Sequence, residues 1–598
     1  MPAEQPSYSA TGPVGNRGSR GMTRLGEIVH VRINRKSIAL GLATGLVVAA
    51  AGSVGASRSS TSGAAPEPVT GGHLTVSGDA EVSSPWTPAA MRCDSYCYTR
   101  ARTFFDTLTV VGDDGQIYGM LAESVEPNED FSEWTFTVRE GITFTDGTPL
   151  DADAVIYNLQ VTGTSLLVSA AVNDIAKVPD PEDPSRMILK IDKLDDMTFV
   201  IYTGRNGDPE QPISWRYLPY FLTSQLGLIA SPTWLEAVAE NPELAAQPVG
   251  TGPFIVDSYE PRSSLEVSRN PDYWMTDAAG NQLPYLDSMS FRVIEDSEVA
   301  VEAIQAGDVD ILATSSGGPI STILDLGDEY TVTMQDRFAE TGYALIDLDK
   351  PGPLQDRRVR CAMSLAVDRQ ELVDSTTDGF NEPSASWFSP GQQGYLDDNG
   401  APIGQDLETA SAMIAEYEEE TGEQVSFTLG HIPSNTVSLG AELLAGWWSE
   451  IGIDVEDYAV PQADFINLAI FGTPEFEVFL WRGNGGGFLD AQYLWWHSSN
   501  ARPDGELSLN FARLRDERVD AARQSLTDEE AIGAAEEINR IFAEECYTIP
   551  FQTIPWAVIS DPSVHGVDTA TLPDGTPLLD GQPGAGQFWT HSLYVTDE

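Results

Sequence analysis

The stretch from residue 134 to residue 159 constrains the fold most, because the spacing of its apolar residues changes from a strand period to a helix period. Apolar and polar residues alternate over 134–138 and again over 142–144, which is the period of half-buried strands. An Asp-Gly pair then predicts a tight turn, and Asp151 is a suitable N-cap for a helix that continues through Leu159. The stretch therefore predicts two strands leading into a helix, with no recognisable catalytic or metal-binding motif.

The remainder of the chain mixes both element types and shows no short-period repeat. Residues 297–307, 357–375, 441–451 and 528–547 have helical patterns, whereas "SLEVSRN", "SMSFRVI" and "FEVFLWR" have strand patterns. A chain of 598 residues is too long for one ordinary core, so two or more lobes are expected. Together these patterns predict an α/β protein built from two large units.

Acidic residues dominate the charge of the whole chain. Asp and Glu number 91 against 33 Lys and Arg, which gives a formal net charge of -58. Phosphate binding needs dense Lys and Arg, so this composition argues against a nucleic-acid partner. The acids are spread along the chain and indicate a solvated surface; a pocket for cationic ligands is the alternative, which net charge alone does not establish.

The N-terminal region has the pattern of an export signal. Basic residues up to Lys36 precede an uncharged run from 37 to 57, and small residues close that run. Residues 1–56 therefore predict a secretory signal cleaved after Ala56, or an uncleaved anchor, since the run is just long enough to span a bilayer. Residues 57–70 predict a flexible linker. Both interpretations place the rest of the chain in the cell envelope or on the extracellular side of the membrane.

Four cysteines occur, and an even count in an exported chain favours disulfides over free thiols. Cys93 and Cys97 enclose only "DSY", which favours a local bridge and leaves Cys361 for Cys546. Free thiols are the alternative interpretation. The histidines lie singly, without the spacing of zinc ligands, so no metal site or cofactor is expected.

Five separated blocks occur in an order that resembles one known family: "GMLAESVEPNEDFSEWTFTVREGITFTDGTPLDADAVIYNL", "PVGTGPFIVDSYEPRSSLEVSRNPDYW", "YLDSMSFRVIEDSEVAVEAIQAGDVDI", "DRRVRCAMSLAVDRQELVD" and "AELLAGWWSEIGIDVE". Together they cover roughly residues 71–590. The chain resembles the family 5 extracellular solute-binding proteins, the peptide- and nickel-binding components of ABC importers.

The resemblance implies an α/β fold of two lobes, a large type II periplasmic-binding-protein-like clamshell with an extra subdomain in lobe 1. Lobe 1 is expected over 71–339, completed by 555–598, and lobe 2 over 340–554. The implied partners are a peptide or other small solute and an ABC permease in the membrane. The protein is expected to be a monomer that binds without catalysis.

The resemblance also implies a ligand cleft lined by the loop after the first strand, a loop of the second lobe, and a strand that begins with tryptophan. The corresponding residues are Glu81, Val82, Ser83, Trp86, Trp387, Phe388, Trp481, Arg482, Gly483 and Asn484.

Three of these positions bear on the ligand's charge. Peptide binders of the family carry at the position of Asn484 an aspartate that pairs with the peptide's amino group, and an amide does not neutralise an ammonium. Glu81 is the nearest acid that would compensate, by resemblance. Arg482 is expected either to anchor a carboxylate or phosphate or to form a structural ion pair.

Trp86, Trp387 and Trp481 are expected either to line the cleft or to pack in the core.

Two other classes of function compete with this interpretation. A secreted hydrolase would need a nucleophile, but the sequence lacks G-x-S-x-G, H-E-x-x-H and a clear Cys-His arrangement. A sensor or chaperone receptor would use the same clamshell and differ only in its partner. The glycines of "GTGPF", at 250 and 252, predict a tight backbone turn rather than a phosphate loop, because no G-K-[ST] follows.

Overall fold

A computed structural model describes residues 66–78, 81, 86–91, 93–163, 172–348, 350–471, 475–483, 496–497, 516–581 and 585–596. The expected signal segment 1–56 and most of the linker lie outside the described residues. So do three of the expected cleft residues, Val82, Ser83 and Asn484.

The strands of the described residues, in chain order, are β1 His73–Gly78, β2 Thr109–Val111, β3 Ile117–Gly119, β4 Ala122–Pro127, β5 Glu133–Val138, β6 Lys177–Pro179, β7 Met187–Leu189, β8 Ile191–Lys193, β9 Thr198–Tyr202, β10 Phe254–Glu260, β11 Ser264–Arg269, β12 Ser288–Val293, β13 Ile311–Thr314, β14 Thr331–Ile346, β15 Glu382–Pro383, β16 Ser426–His431, β17 Asp454–Ala459, β18 Val478–Gly483, β19 Thr548–Ser560, β20 Val564–His565 and β21 Tyr594–Val595.

The α-helices of the described residues are α1 Ser95–Phe104, α2 Ala152–Gly163, α3 Leu218–Phe221, α4 Pro232–Glu240, α5 Ser297–Gln305, α6 Gly317–Asp325, α7 Arg357–Leu365, α8 Arg369–Thr377, α9 Leu407–Thr421, α10 Asn435–Glu450, α11 Gln462–Phe471, α12 Asp516–Arg523 and α13 Asp528–Glu545. None of them is long and apolar enough to cross a membrane.

One large sheet organises the fold. Its strands follow the order β10-β11-β12-β1-β13-β19-β14-β18-β16-β17, with β15 added beside β19. We call β10, β11, β12, β1 and β13 the first half of the sheet, and β18, β16 and β17 the second half. The two long strands β14 and β19 lie between the halves and belong to both, so they connect them.

The pairing of β14 with β19 is interrupted in the middle. Residues 331–335 of β14 lie opposite 556–560, and pairing resumes only at Glu340, opposite Ile554. Phe338, inside the interruption, has a positive φ of 64°, which is uncommon for a residue with a side chain. Before the interruption β19 also pairs with β13, and after it β14 also pairs with β18. We call this interruption the crossover.

The stretch from residue 134 to residue 159 belongs to a small subdomain with its own core. β5 lies between β4 and β9 in a four-stranded sheet that also includes β8. The helix prediction is confirmed: α2 begins at Ala152, and the Asp151 carboxylate accepts a hydrogen bond from the Ala154 amide at 2.9 Å. Residues such as Trp134, Phe136 and Leu159 are buried there in one cluster.

The second strand predicted for this stretch, over 142–144, is wrong. The structure has a single bridge between Thr143 and Pro149 instead, closed by hydrogen bonds between Ile142 and Leu150 and between Phe144 and Thr148. The apolar residues of this turn are nevertheless buried. Alternation therefore reported burial correctly, but the nearby turn leaves no room for a longer ladder.

Both predicted disulfides are present. Cys93 bonds to Cys97 at the start of α1, and Cys361 of α7 bonds to Cys546 after α13. The second bridge joins residues 185 positions apart, so it closes a large loop of the second half.

Candidate functional site

The carboxyl ends of strands from both halves meet at the crossover. In the first half, β13 ends at Thr314 opposite Ala557 of β19, next to the interruption. In the second half, β18 ends at Gly483 opposite Thr341 of β14, next to the interruption from the other side. Open α/β sheets bind ligands outside the carboxyl ends of their strands. The crossover is therefore the place where the topology puts a cleft.

One side chain spans this place. The Arg482 guanidinium donates a hydrogen bond to the Ser315 hydroxyl of the first half at 2.6 Å. The same nitrogen, Nη1, lies 3.5 Å from Oε2 of Glu340, and the guanidinium is 5.6 Å from the centre of the Trp556 ring. The Trp556 indole also donates to Glu340, at 2.9 Å. Arg482 thus connects the second half to the first half and to both crossover strands.

The burial of this pair is unequal. The Glu340 side chain is 8% exposed, whereas that of Arg482 is 42% exposed. A buried carboxylate needs partners to offset its lost hydration, and here the indole and the guanidinium provide them. Two roles were expected for Arg482, and the described contacts show the structural ion pair, with Glu340 as its partner.

The other residues of β18 shape the same edge. Trp481 lies opposite Tyr343 in the ladder, is partly buried, and has its ring 5.8 Å from the Phe465 ring. Gly483 follows it, and a Cβ at this position would come within 3.1 Å of the Tyr343 ring. Such a distance is tighter than an ordinary contact, so glycine suits the close approach of the two strands.

The remaining aromatic residues expected in the cleft pack inside the two halves. Trp387 and Phe388 are 5% and 1% exposed and touch at 5.0 Å between ring centres, in a cluster with Trp496 and Phe542. Trp86 is fully buried in the core of the first half, 5.2 Å from Phe104. In this conformation a solute would reach these rings only after their neighbours moved.

Glu81 has a partner within the protein. Its carboxylate accepts a hydrogen bond from the Arg100 guanidinium at 2.9 Å and another from the Arg262 amide at 2.6 Å. The Arg100 side chain is 2% exposed and lies over the rings of Trp86 and Tyr96, at 5.1 and 4.4 Å. Because Glu81 neutralises a buried cation, its availability for a ligand's ammonium is limited.

The "GTGPF" glycines have a structural role, but it is close packing against a neighbouring backbone rather than the tight turn that the sequence predicted. A side chain at Gly250 or Gly252 would collide with the backbone of Phe104, where the Gly252 amide donates to the Phe104 carbonyl at 3.1 Å. Next to these glycines lies Asp106, whose pKa is raised to about 6 by burial. Hydrogen bonds from Trp274, Thr251 and Tyr273 oppose that shift by stabilising the charged form.

Glu340, Ser315 and Trp556 are the site residues that sequence reasoning missed. Glu340 coincides with the expected start of lobe 2, and Trp556 with the return of the chain to lobe 1. A lobe boundary is therefore the signal that would have found Glu340 and Trp556. Within the described ranges, no three His, Cys, Asp or Glu side chains come together as metal ligands.

The continuous sheet, its two crossover strands and the opposed strand ends define a two-lobed solute-binding protein. A family model described as "Bacterial extracellular solute-binding proteins, family 5 Middle" matches residues 116–505. The chain belongs to the family 5 bacterial extracellular solute-binding proteins. The family assignment made from the five sequence blocks is thereby confirmed.

Relatives and solved structures agree with this assignment. The chain is 23% identical over 397 residues to the nickel-binding periplasmic protein of Escherichia coli (strain K12). This match covers 63% of this chain and 70% of that protein. It is 23% identical over 463 residues to di/tripeptide-binding protein 2 of Pseudomonas aeruginosa (strain UCBPP-PA14), and this match covers 74% of this chain and 80% of that protein.

Among solved structures, the ABC transporter-associated periplasmic binding protein DppA from Helicobacter pylori, in complex with peptide STSA, superposes with a TM-score of 0.72. The two chains are 18% identical, and the match covers 88% of this chain and 98% of that chain. The predicted two-lobed α/β clamshell is thereby confirmed as the fold.

Proposed function

We propose that the protein captures a small solute between its lobes at the crossover and delivers it to an ABC permease in the membrane. The observation that carries the proposal is the meeting of strand ends from both halves at Arg482, Ser315 and Glu340. A ligand held there contacts both lobes at once, so its binding favours the closed arrangement. The protein acts by binding and release, without turnover.

The lobe boundaries proposed from the sequence fit the crossover. Lobe 1 extends over 71–339 and is completed by 555–598, and lobe 2 extends over 340–554. The support is the interrupted register, which falls between Gln335 and Glu340 on β14 and beside Ile554 on β19. An interruption in the pairing of the two connecting strands is a suitable hinge for lobe movement.

The relatives and the site support one ligand class for this proposal. Relatives are named for nickel and for di- and tripeptides, and the DppA structure holds a four-residue peptide. No group of metal-ligating side chains lies in the described residues, so we propose a peptide or similar small organic solute rather than a bare metal ion. The guanidinium of Arg482 suits a carboxylate on that solute.

We further propose that the protein works on the extracellular side of the membrane as a monomer. Residues 1–56 would be removed after Ala56 or would remain as an anchor, with no lipid attached, since no cysteine lies near Ser57. The intact mass of the native protein tests this part. A mass that includes a diacylglycerol adduct would contradict it.

The function itself is tested by mass spectrometry under native conditions on protein purified from its own host. We expect a fraction of the molecules to carry one small organic solute, which is released intact when the protein is denatured. A protein that never carries a solute, and whose melting temperature no peptide or peptide-like compound raises, would contradict the proposal.

A further inference from the structure

A second contact also joins the two lobes, and its central residue is Arg523. Residues of α12 and of the later part of α13 pack into the core of the second half. Arg523, the last residue of α12, points away from that core into the small subdomain of the first half. Its Nη1 lies 3.2 Å from Oδ2 of Asp174, although the two residues are 349 positions apart.

This contact is buried from solvent. The side chains of Arg523 and Asp174 are 0% and 2% exposed. The Arg523 guanidinium lies 4.1 Å from the centre of the Trp215 ring and 5.8 Å from that of Phe221, both members of the subdomain core. The Asp174 carboxylate also accepts a hydrogen bond from the backbone amide of Asn206 at 2.8 Å, and this bond fixes the orientation of the carboxylate.

Two outer ion pairs flank the buried one, and their charges are reversed. The subdomain supplies the cations here: Arg205 lies 2.7 Å from Asp520, and Arg216 lies 3.0 Å from Asp528. These pairs are partly exposed, so each contributes little on its own. Because the signs alternate across the interface, only one alignment of the two surfaces satisfies all three pairs.

Opening of the lobes at the crossover would separate these surfaces. Burying an ion pair costs most of what its attraction gains, so the closed contact and two rehydrated charges are close in free energy. A close balance suits a contact that must form and break in every transport cycle. A single uncompensated charge left in the interface, in contrast, would favour opening strongly.

We propose that Arg523 is a positioning residue for lobe closure, and that its insertion between Trp215 and Asp174 sets the balance between the open and closed conformations. Arg523 is not among the residues proposed to contact the solute at the crossover. The inference rests on the proposed clamshell function, but it concerns the protein without a ligand and is tested without one.

The test is an inter-lobe distance measured by electron spin resonance on the full chain without added solute. Spin labels are placed at Leu194→Cys in the subdomain and Ile403→Cys in the second lobe, both exposed positions. In this background we compare Arg523→Gln, Asp174→Asn and the conservative Arg523→Lys. Arg540→Gln is the matched control, since Arg540 is an exposed arginine of α13 that pairs only with Glu536 among the described ion pairs.

We expect Arg523→Gln and Asp174→Asn to raise the ratio of long to short distances by about fivefold or more. Arg523→Lys should give an intermediate shift, because lysine keeps the charge but loses the planar stacking on Trp215. Arg540→Gln should match the parent protein. If Arg523→Gln does not fold, Asp174→Asn and Arg523→Lys decide the question.

A merely structural role predicts a different pattern, in which the variants lose thermal stability while the distance distribution stays that of the parent. That result would overturn the inference. It would leave the proposed function untouched, because solute capture is measured separately on the native protein.

Discussion

Arg482 of β18 donates a hydrogen bond to Ser315, the residue that follows β13, across 2.6 Å. One strand belongs to each half of the sheet, so this bond joins the lobes at the edge where both strands end. Its donor is also paired with Glu340 at the crossover. A solute that enters this edge therefore meets a cation whose position depends on both lobes.

Replacement of Arg482 by alanine should lower both stability and solute affinity. Glu340 would keep only the Trp556 indole as a described partner, and a buried carboxylate that loses a partner costs about 1–3 kcal/mol. Urea unfolding of Arg482→Ala checks the stability, with the exposed Arg540→Ala as control. Equal unfolding midpoints for the two variants would show that the ion pair between Arg482 and Glu340 does not contribute to the stability of the fold.

The head group of the solute can be examined through Asn484 and Glu81. If Asn484 lies where peptide binders carry their aspartate, Asn484→Asp should strengthen binding of peptides with a free amine by roughly tenfold or more, since an ammonium gains a charged partner. Calorimetry with free and N-acetylated forms of one peptide measures the difference. An unchanged affinity for both forms would mean that the solute's amine binds elsewhere or is absent.

The companion variant Glu81→Gln should act on stability first. The sequence suggested that Glu81 would pair with an ammonium, but its carboxylate neutralises the buried Arg100. Removing that charge should cost about 3–5 kcal/mol of unfolding free energy. If Glu81→Gln abolished peptide binding with no loss of stability, the ligand role would be favoured over the structural one.

A pH effect is expected from Asp580. Burial, followed by repulsion from Asp568 and Asp113, raises the pKa of Asp580 to about 7. The folded state then binds a proton more readily than the unfolded chain, so this group's contribution to stability falls as pH rises from about 4 to about 7. Asp580→Asn should therefore be more stable than the parent at pH 8, by about 1–3 kcal/mol, and not at pH 4.

The control for this prediction is Asp328→Asn, which removes one negative charge from an exposed position. Thermal unfolding is followed at both pH values. A gain at pH 8 that both variants share would mean that total charge, rather than the buried carboxyl, is responsible.

The two disulfides should contribute unequally to stability. The bridge between Cys361 and Cys546 spans 185 residues, whereas that between Cys93 and Cys97 spans 4. Closing a longer loop removes more entropy from the unfolded chain, so the double serine variant of the long bridge should lose about 2–5 kcal/mol. Denaturant unfolding of both double variants tests the order, and a larger loss at the short bridge would reverse it.

The sequence predicted the parts of this fold that depend on local pattern. The strand over 134–138 and the helix capped by Asp151 were visible because period and capping are local properties. The chain length indicated two or more lobes, and the family resemblance supplied their clamshell arrangement and boundaries. The turn at 142–144 was misread because alternation reports burial and not the length of a ladder.

The site was less accessible from the sequence. Trp86 and Trp387 stand in loops, where no period distinguishes a cleft from a core, and both are buried. Arg482 was predicted by resemblance to the family, because it follows Trp481. Its partners Ser315 and Glu340 come from strands that are distant in the chain, and only the tertiary arrangement brings them together.

The central claim is that this protein binds a solute between its lobes and releases it unchanged. The most direct measurement incubates the purified protein with the solute recovered from it, and follows the melting temperature and the chemical integrity of the solute together. We expect stabilisation of about 2.7 kcal/mol at a hundredfold excess over the dissociation constant, with the solute recovered intact. Steady conversion of the solute into product by the protein, or no stabilisation at any concentration, would contradict the account.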